Sequence, residues 1–376
     1  MDFDFSQEQA MLRESVEKLI AQHYDFEQRK KYLKAGGFNR EMWERYADMG
    51  LLGLPFAEAE GGFGGGPVET MIVMEAFGRG LILEPYFPSV VLGGGLLRHG
   101  AAEAERRDLI PRIASGELKL AFAHAEPESR YDLAHVGTRA RREGSGWVIE
   151  GSKTLVFGGD VADSLIVSAR LSGDVTSPEG IGLFLVDAKG GGVSRRTYRL
   201  QDATGAAEVA FNAAPAQPLG ELGGAFPAIE RAVDEALAAL SAEALGVMAA
   251  MQETTLEYLK TRQQFGRPIG QFQALQHRAV DMLIAVEQAR SMVYYATMMA
   301  GAADRTERRR AVSAAKAEIG RLGRKVGQEA IQLHGGIGMT MEYKVGHYFK
   351  RMTMIELMFG DTDHHTALLA DLGGLF

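Results

Sequence analysis

Two long runs of apolar residues at helical spacing, separated by a short stretch that breaks the pattern, constrain this chain most. Before the break, Ala232, Ala236, Leu240, Ala244, Val247, Met251, Leu256 and Leu259 recur at the helical period; after it, Leu275, Val280, Met282, Leu283, Val286 and Met292 resume it. Between them lies Arg262-Gln-Gln-Phe265-Gly266-Arg-Pro268-Ile269-Gly270-Gln-Phe272-Gln273-Ala-Leu-Gln-His277. The spacing predicts a helical hairpin in which Pro268 stops the first helix and Gly266 and Gly270 release the backbone. Arg262 is then left near a helix end beside an exposed Phe265. A guanidinium next to a flat ring suits an anionic ligand that carries a ring of its own. An ordinary helix–loop–helix with a solvated arginine has the same pattern.

The rest of the chain divides by period. Residues 6 to about 117 read helical. Ser6 with Gln9 forms a capping-box start, followed by a stripe of Met11, Leu12, Val16, Leu19 and Ile20. Asn39 caps a second helix, whose Met42, Trp43, Tyr46 and Met49 face inward and which Gly50 stops. The glycine run over residues 61–66 lacks the Lys-Ser/Thr of a phosphate loop and follows no strand, so it reads as a flexible connection. Further helices are expected from Thr70 to Gly80 and from Val90 to His99. Between about 118 and 222, short β-type runs at 146–150, 164–168, 181–186 and 207–211 lie between Gly, Asp and Ser punctuation. From Gly224 to Leu369 long Ala-, Leu- and Met-rich helices return, suited to a bundle and to packing against other chains. The expected architecture is α+β: an N-terminal helical domain (1–117), a central β-barrel-like domain (118–222) and a C-terminal four-helix-bundle domain (223–376).

A formal net charge of −8 argues against nucleic acid as the main partner. With no cysteine there is neither a disulfide framework nor thiolate chemistry. The acidic start shows no signal peptide, and no run approaches the ~18 apolar residues of a membrane span. A cytoplasmic protein is expected.

Several motifs, in order along the chain, resemble landmarks of the acyl-CoA dehydrogenase family of flavoproteins. Residues 262–269 are similar to its R-x-Q-F-G-x-x-I element and Gln332-Leu-His-Gly335-Gly336-Ile-Gly338 to its Q-x-x-G-G-x-G element. Phe5-Ser-Gln-Glu-Gln-Ala-Met-Leu-Arg reads like its first helix. Gly50-Leu-Leu-Gly-Leu-Pro55, Glu60-Gly-Gly-Phe-Gly64 and Leu109-Ile-Pro-Arg-Ile-Ala-Ser-Gly116 fall between. The resemblance implies FAD as cofactor and an acyl-CoA thioester as substrate, which loses an α-proton to a carboxylate and a β-hydride to the flavin. It also implies an electron-accepting flavoprotein as partner and assembly as a homo- or hetero-oligomer, dimer or tetramer. Arg262 would meet the FAD pyrophosphate and Phe265 the adenine side, often in a neighbouring subunit. Gln273, Gln332, Gly335 and Gly336 would complete that site, with Thr362 a further cofactor contact.

Elsewhere the family pattern is altered. Where a Thr-Glu-Pro-Gly-Ala-Gly-Ser-Asp type segment is expected, the chain has Ala125-Glu126-Pro127-Glu128-Ser129-Arg130-Tyr131-Asp132. A Lys-x-Trp-Ile-Thr-Asn-Gly type strand appears as Lys153-Thr-Leu155-Val-Phe157-Gly-Gly159, without the tryptophan and threonine that line the flavin. The family's catalytic glutamate position falls on Phe359 or Gly360, and the nearest downstream carboxylate is Asp361, expected either as base or as a capping or inter-subunit group. Some members carry the base on the helix before Arg262; that position is Ala236, with Glu235 and Glu243 nearby. Asp361, Asp363, His364 and His365 are too closely spaced for one metal site, so no metal is expected. The resemblance leaves open an active dehydrogenase using Asp361, a partner subunit lacking its own base, and a flavin oxidase or monooxygenase on the same fold.

Overall fold

The computed structural model describes residues 4–373. Its helices are α1 (Gln7–His23), α2 (Phe26–Lys34), α3 (Arg40–Asp48), α4 (Pro67–Gly80), α5 (Gly94–Gly100), α6 (Glu103–Ala114), α7 (Phe226–Thr261), α8 (Gln273–Ala300), α9 (Arg305–His334), α10 (Lys344–Leu357) and α11 (Thr362–Asp371). Its strands are β1 (Leu120–Ala123), β2 (Arg139–Glu143), β3 (Gly146–Phe157), β4 (Ser164–Arg170), β5 (Ile181–Asp187), β6 (Val193–Arg199), β7 (Gly205–Leu219), β8 (Gln263–Gln264) and β9 (Arg267–Pro268). The helical, β, helical order along the chain is the expected architecture. By packing, residues 4–31, 67–82 and 237–373 make one compact unit, and 32–66 with 83–236 make another.

In the second unit the sheet closes on itself. β2 pairs with β3, β3 with β7, β7 with β5, β5 with β4, and β4 meets β2 at Arg170 and Arg139. β1 joins parallel to β4, and β6 joins β7. Ile149, Val156, Leu165, Val167, Phe184, Val186, Val209 and Phe211 fill the inside, and this burial drives closure. In the barrel, the sequence reading missed β1, β2 and β6. β1 is only four apolar residues long, too short for a period to show, whereas β2 and β6 are rich in arginine and largely exposed, so neither carries an apolar face to read.

In the first unit α9 is the central element: α8, α10 and α11 all pack on it, and Val312, Ile319, Leu322, Val326 and Ala330 are buried along it. The capping box at Ser6 forms, with Gln9 N donating to Ser6 Oγ at 3.2 Å and Ser6 N to Gln9 Oε1 at 3.0 Å.

Two readings in the second unit need correction. Asn39 caps α3 and Met42, Trp43 and Tyr46 are buried, but Met49, the C-cap residue, lies outward, 38% exposed. The glycine run is not a loose connection. Gly62 N bonds to Ala57 O, Phe63 N to Gly53 O, Gly64 N to Phe56 O and Gly65 N to Leu54 O. A Cβ at Gly62 would lie against the Phe56 carbonyl, so glycine is there for close backbone approach. Those engaged amides leave none for a phosphate.

Candidate active and cofactor-binding site

The predicted break between α7 and α8 is a hairpin. Arg262 N bonds to Tyr258 O at 2.8 Å as α7 ends, then Gln263–Gln264 pairs with Arg267–Pro268 around Phe265 and Gly266. Both turn residues have positive φ, 52° and 77°, the geometry of a two-residue hairpin turn. Glycine adopts it freely; Phe265 adopts it under strain. Pro268 therefore does not stop the helix, which ends well before it; it lies opposite Gln263 in the return strand. The Phe265 ring is 91% exposed and meets Phe272 edge-on at 6.1 Å, and the Arg267 guanidinium lies 4.2 Å over Phe272.

Arg262, Gln273, Gln332, Gly335 and Gly336 are exposed too. Gly335 ends α9 at φ 62°, ψ −141°, a conformation that only glycine holds easily. A Cβ on Gly335 or Gly336 would touch nothing, so their backbone is open to an incoming group. Tyr258, one turn before Arg262, stacks on His334, the residue before Gly335, at 4.5 Å between ring centres. The helix end that carries Arg262 and the turn that carries the two glycines are thereby side by side. An arginine fork, an outward ring, two amides and bare backbone N–H groups fit the diphosphate and adenosine of FAD.

The segment after α10 is held from beneath. Lys316, 1% exposed, donates to Glu356 O at 2.7 Å and Gly360 O at 2.5 Å. His365, also 1% exposed, bonds Phe359 O at 3.1 Å and Ser313 Oγ at 3.2 Å. Burial lowers Lys316 to about 7 and, with the Lys316 charge, His365 to about 2. Phe359 has φ 56° and Gly360 φ 116°; a Cβ at Gly360 would strike the His364 and His365 rings. Asp361 is the N-cap of α11, its Oδ1 accepting from His364 N at 2.9 Å. The Thr362 hydroxyl turns inward and donates to Glu356 Oε1 at 3.2 Å.

Glu356 was not singled out in the sequence, although it is a carboxylate one helical turn before Gly360. It is buried, and Arg324 reaches its Oε1 at 2.7 Å. The two α7 carboxylates picked out by the sequence, Glu235 and Glu243, are engaged as well. Glu243 is paired with Arg351 through two bonds. Glu235 accepts from Arg98 at 2.8 Å and Arg231 at 3.1 Å, with the His99 ring at 2.9 Å. Burial opposes its charge, but the His99 hydrogen bond and the Arg98 charge carry its carboxyl down to about 2. Among the described residues no group of three or more His, Asp or Glu side chains gathers as for a metal ion.

In the barrel, the motif residues that were kept have a scaffold role. Lys153 Nζ, buried, donates to Glu126 Oε1 at 2.8 Å, His124 O at 2.9 Å and Ser168 Oγ at 3.1 Å. Glu126 also accepts from Gly137 N at 2.8 Å and Thr138 N at 2.9 Å. Burial raises its carboxyl, yet the charge and bond of Lys153 bring it to about 2. Asp132 accepts from Ala134 N at 2.9 Å. The altered positions lie between these anchors: half-buried Ala125, Tyr131 and Leu155, the last at φ 50° in the register shift of β3 between Lys153 and Val156. Ala125 and Leu155 have no side-chain donor to offer a flavin ring.

Residues 6–117, 121–213 and 225–372 match, in order, the N-terminal, middle and C-terminal domains of acyl-CoA dehydrogenases. The mouse (Mus musculus) protein "Long-chain specific acyl-CoA dehydrogenase, mitochondrial" is 31% identical over 91% of this chain and 80% of its own length. A variant of the "Tcur3481-Tcur3483 steroid ACAD" superposes with TM-score 0.87 at 31% identity, covering 97% of both chains. The ChsE4-ChsE5 complex from Mycobacterium tuberculosis gives TM-score 0.87 at 26% identity, covering 99% of this chain and 98% of that one. With three matched domains and an unbroken helical–barrel–helical order, this chain belongs to the acyl-CoA dehydrogenase family.

Proposed function

We propose that the chain takes part in FAD-dependent α,β-dehydrogenation of an acyl-CoA thioester as the partner subunit of a mixed oligomer. In that role it holds the adenosine-diphosphate end of a neighbour's FAD and leaves α-proton removal to the other chain. The observation that carries this reading is the engagement of its carboxylates. Glu235, Glu243 and Glu356 are each tied to an arginine, and Asp361 spends an oxygen on capping α11. A general base needs a carboxylate within reach of its proton and poised to take it, which a tight arginine pair opposes.

FAD supplies hydride acceptance when bound. Arg262 would pair with the pyrophosphate, Phe265 would cover the adenine side, and Gln273, Gln332 and the Gly335 and Gly336 amides would complete the cradle. The kinship with the ChsE4-ChsE5 complex supports a two-chain assembly. An electron-accepting flavoprotein is the partner expected for reoxidation, and the acyl chain is read by the catalytic subunit.

The test is to purify the chain alone and with a family member that carries a Glu-Gly-Thr segment, and to read the flavin spectrum of each. Alone, an added acyl-CoA leaves any flavin oxidised; paired, it bleaches the flavin, and Arg262→Ala in this chain lowers FAD occupancy. Rapid bleaching by the chain alone would overturn the reading.

A further inference from the structure

His334 is 3% exposed and lies between two tyrosines, 4.5 Å from Tyr258 and 5.0 Å from Tyr343 between ring centres. The two tyrosines are 6.3 Å apart, edge to face, so the three rings close on one another. Each ring comes from a different stretch: Tyr258 from the last turns of α7, His334 from the end of α9, Tyr343 from the residue that opens α10. His334 Nδ1 bonds to Ala330 O at 2.8 Å, which fixes the tautomer with the proton on Nδ1 and orients the ring. Its Nε2 is then a buried acceptor with no hydrogen-bond partner among the described residues. Such an unmet acceptor adds no stability, so what this ring contributes here is its flat face between the two tyrosines. Gly338 permits the close fit, since a Cβ there would lie 3.0 Å from the His334 Cβ. The residues that follow Tyr258 and His334 are the exposed ones at issue: Arg262 one turn on, Gly335 and Gly336 next in the chain.

We propose that Tyr258, His334 and Tyr343 form an aromatic clamp that sets the separation between Arg262 and the Gly335–Gly336 turn, as positioning residues for a diphosphate bound between them. This rests on the proposed reading of that surface as an FAD anchor. A guanidinium and backbone amides grip one diphosphate only if their spacing is held, and exposed side chains on a hairpin and a turn do not hold it themselves.

The experiment titrates ADP, the probe for this half of the cofactor, into the purified full-length chain by calorimetry and compares His334→Leu, His334→Phe and Arg262→Ala. His334→Leu removes the ring, lets the spacing of Arg262 and the glycine turn drift, and weakens ADP about tenfold, or about 1.4 kcal/mol. His334→Phe restores the stack and recovers affinity. A packing role alone would lower the unfolding midpoint in His334→Leu without changing ADP affinity, and that result rejects the clamp while leaving the anchor intact. Should His334→Leu fail to fold, Tyr343→Leu at the half-exposed outer ring gives the same readout, and unchanged affinity there overturns the clamp. Unaltered chain that binds no ADP, or ADP binding indifferent to Arg262→Ala, rejects the anchor and the clamp together.

Discussion

Arg351 grips Glu243 through two bonds, Nε to Oε1 at 2.6 Å and Nη2 to Oε2 at 2.7 Å, with side-chain exposures of 9% and 8%. The pair joins α10 to α7 within the first unit. Fork-to-fork geometry satisfies both carboxylate oxygens, so Glu243 is a structural anion. Removing one partner strands the other charge in the interior, and Arg351→Met is expected to cost about 3–5 kcal/mol of stability by urea titration. Glu243→Gln should likewise lower stability. A folded Glu243→Gln protein that loses flavin reduction specifically, at unchanged stability, would return Glu243 to the list of bases.

Lys153 and Glu126 make the corresponding anchor in the barrel, at 2.8 Å with almost no exposure. Here the carboxylate also takes two backbone amides, so its loss leaves Gly137 N and Thr138 N unmet and the buried ammonium, still bonded to His124 O and Ser168 Oγ, without a counter-charge. Glu126→Gln keeps the shape and loses the charge; Glu126→Ala loses both. The expected order of unfolding midpoints is unaltered chain, Glu126→Gln, Glu126→Ala, the last lower by about 3–5 kcal/mol in stability. Equal midpoints for all three would show that the pair does not hold the barrel.

The order of domains and the long helices were legible because apolar period survives in sequence wherever one face is buried. The capping box at Ser6 and the Asn39 cap were legible because their chemistry is local. β2 and β6 were not, since a strand of exposed arginines has no apolar alternation. The packed glycine strap needed the opposing carbonyls of residues 53–57 to be seen, and nothing local marks them. At the candidate site, Arg262, Phe265 and the glycine turn stand out by residue type, and the Arg231–Glu235 pair has helical i,i+4 spacing, whereas the engagement of Glu235 by Arg98, of Glu243 by Arg351 and of Glu356 by Arg324 depends on arginines distant in sequence. Ion pairing across elements is a property of the fold and leaves no spacing to read.

Acid should weaken the fold through two buried imidazoles. Burial, reinforced by the Lys153 charge, lowers His124 from the ordinary 6.5 to about 3; burial and the Lys316 charge lower His365 to about 2. In the unfolded chain both take a proton near the ordinary value, while the folded chain refuses it until far lower pH. Stability is therefore complete above about pH 6.5 and declines as pH falls toward 3 and 2, by at most about 1.4 kcal/mol per unit for each histidine. Urea midpoints at about pH 7 and about pH 5 measure the decline. His124→Gln with His365→Gln should flatten it; a slope indifferent to both substitutions would assign the acid limb to other groups.

Asp361 separates the two ways in which this chain could serve the dehydrogenation. As N-cap of α11 its Oδ1 satisfies His364 N, one of the amides that a helix start leaves without an internal partner. Asparagine caps nearly as well, so Asp361→Asn should leave stability almost unchanged, while Asp361→Ala should cost about 0.5–2 kcal/mol. Proton abstraction makes the opposite demand, because asparagine keeps size and hydrogen bonding but has no affinity for the proton. Were Asp361 the base, Asp361→Asn would slow flavin reduction by acyl-CoA by roughly 10²–10⁴-fold with FAD still bound. The expected result is the capping one: in the paired assembly, stopped-flow bleaching of flavin by acyl-CoA proceeds at the same rate with Asp361 or asparagine, and Asp361→Ala shows its effect in the unfolding midpoint. A collapse of the bleaching rate in Asp361→Asn, at unchanged FAD content, would make this chain the catalytic one and remove the need for a second.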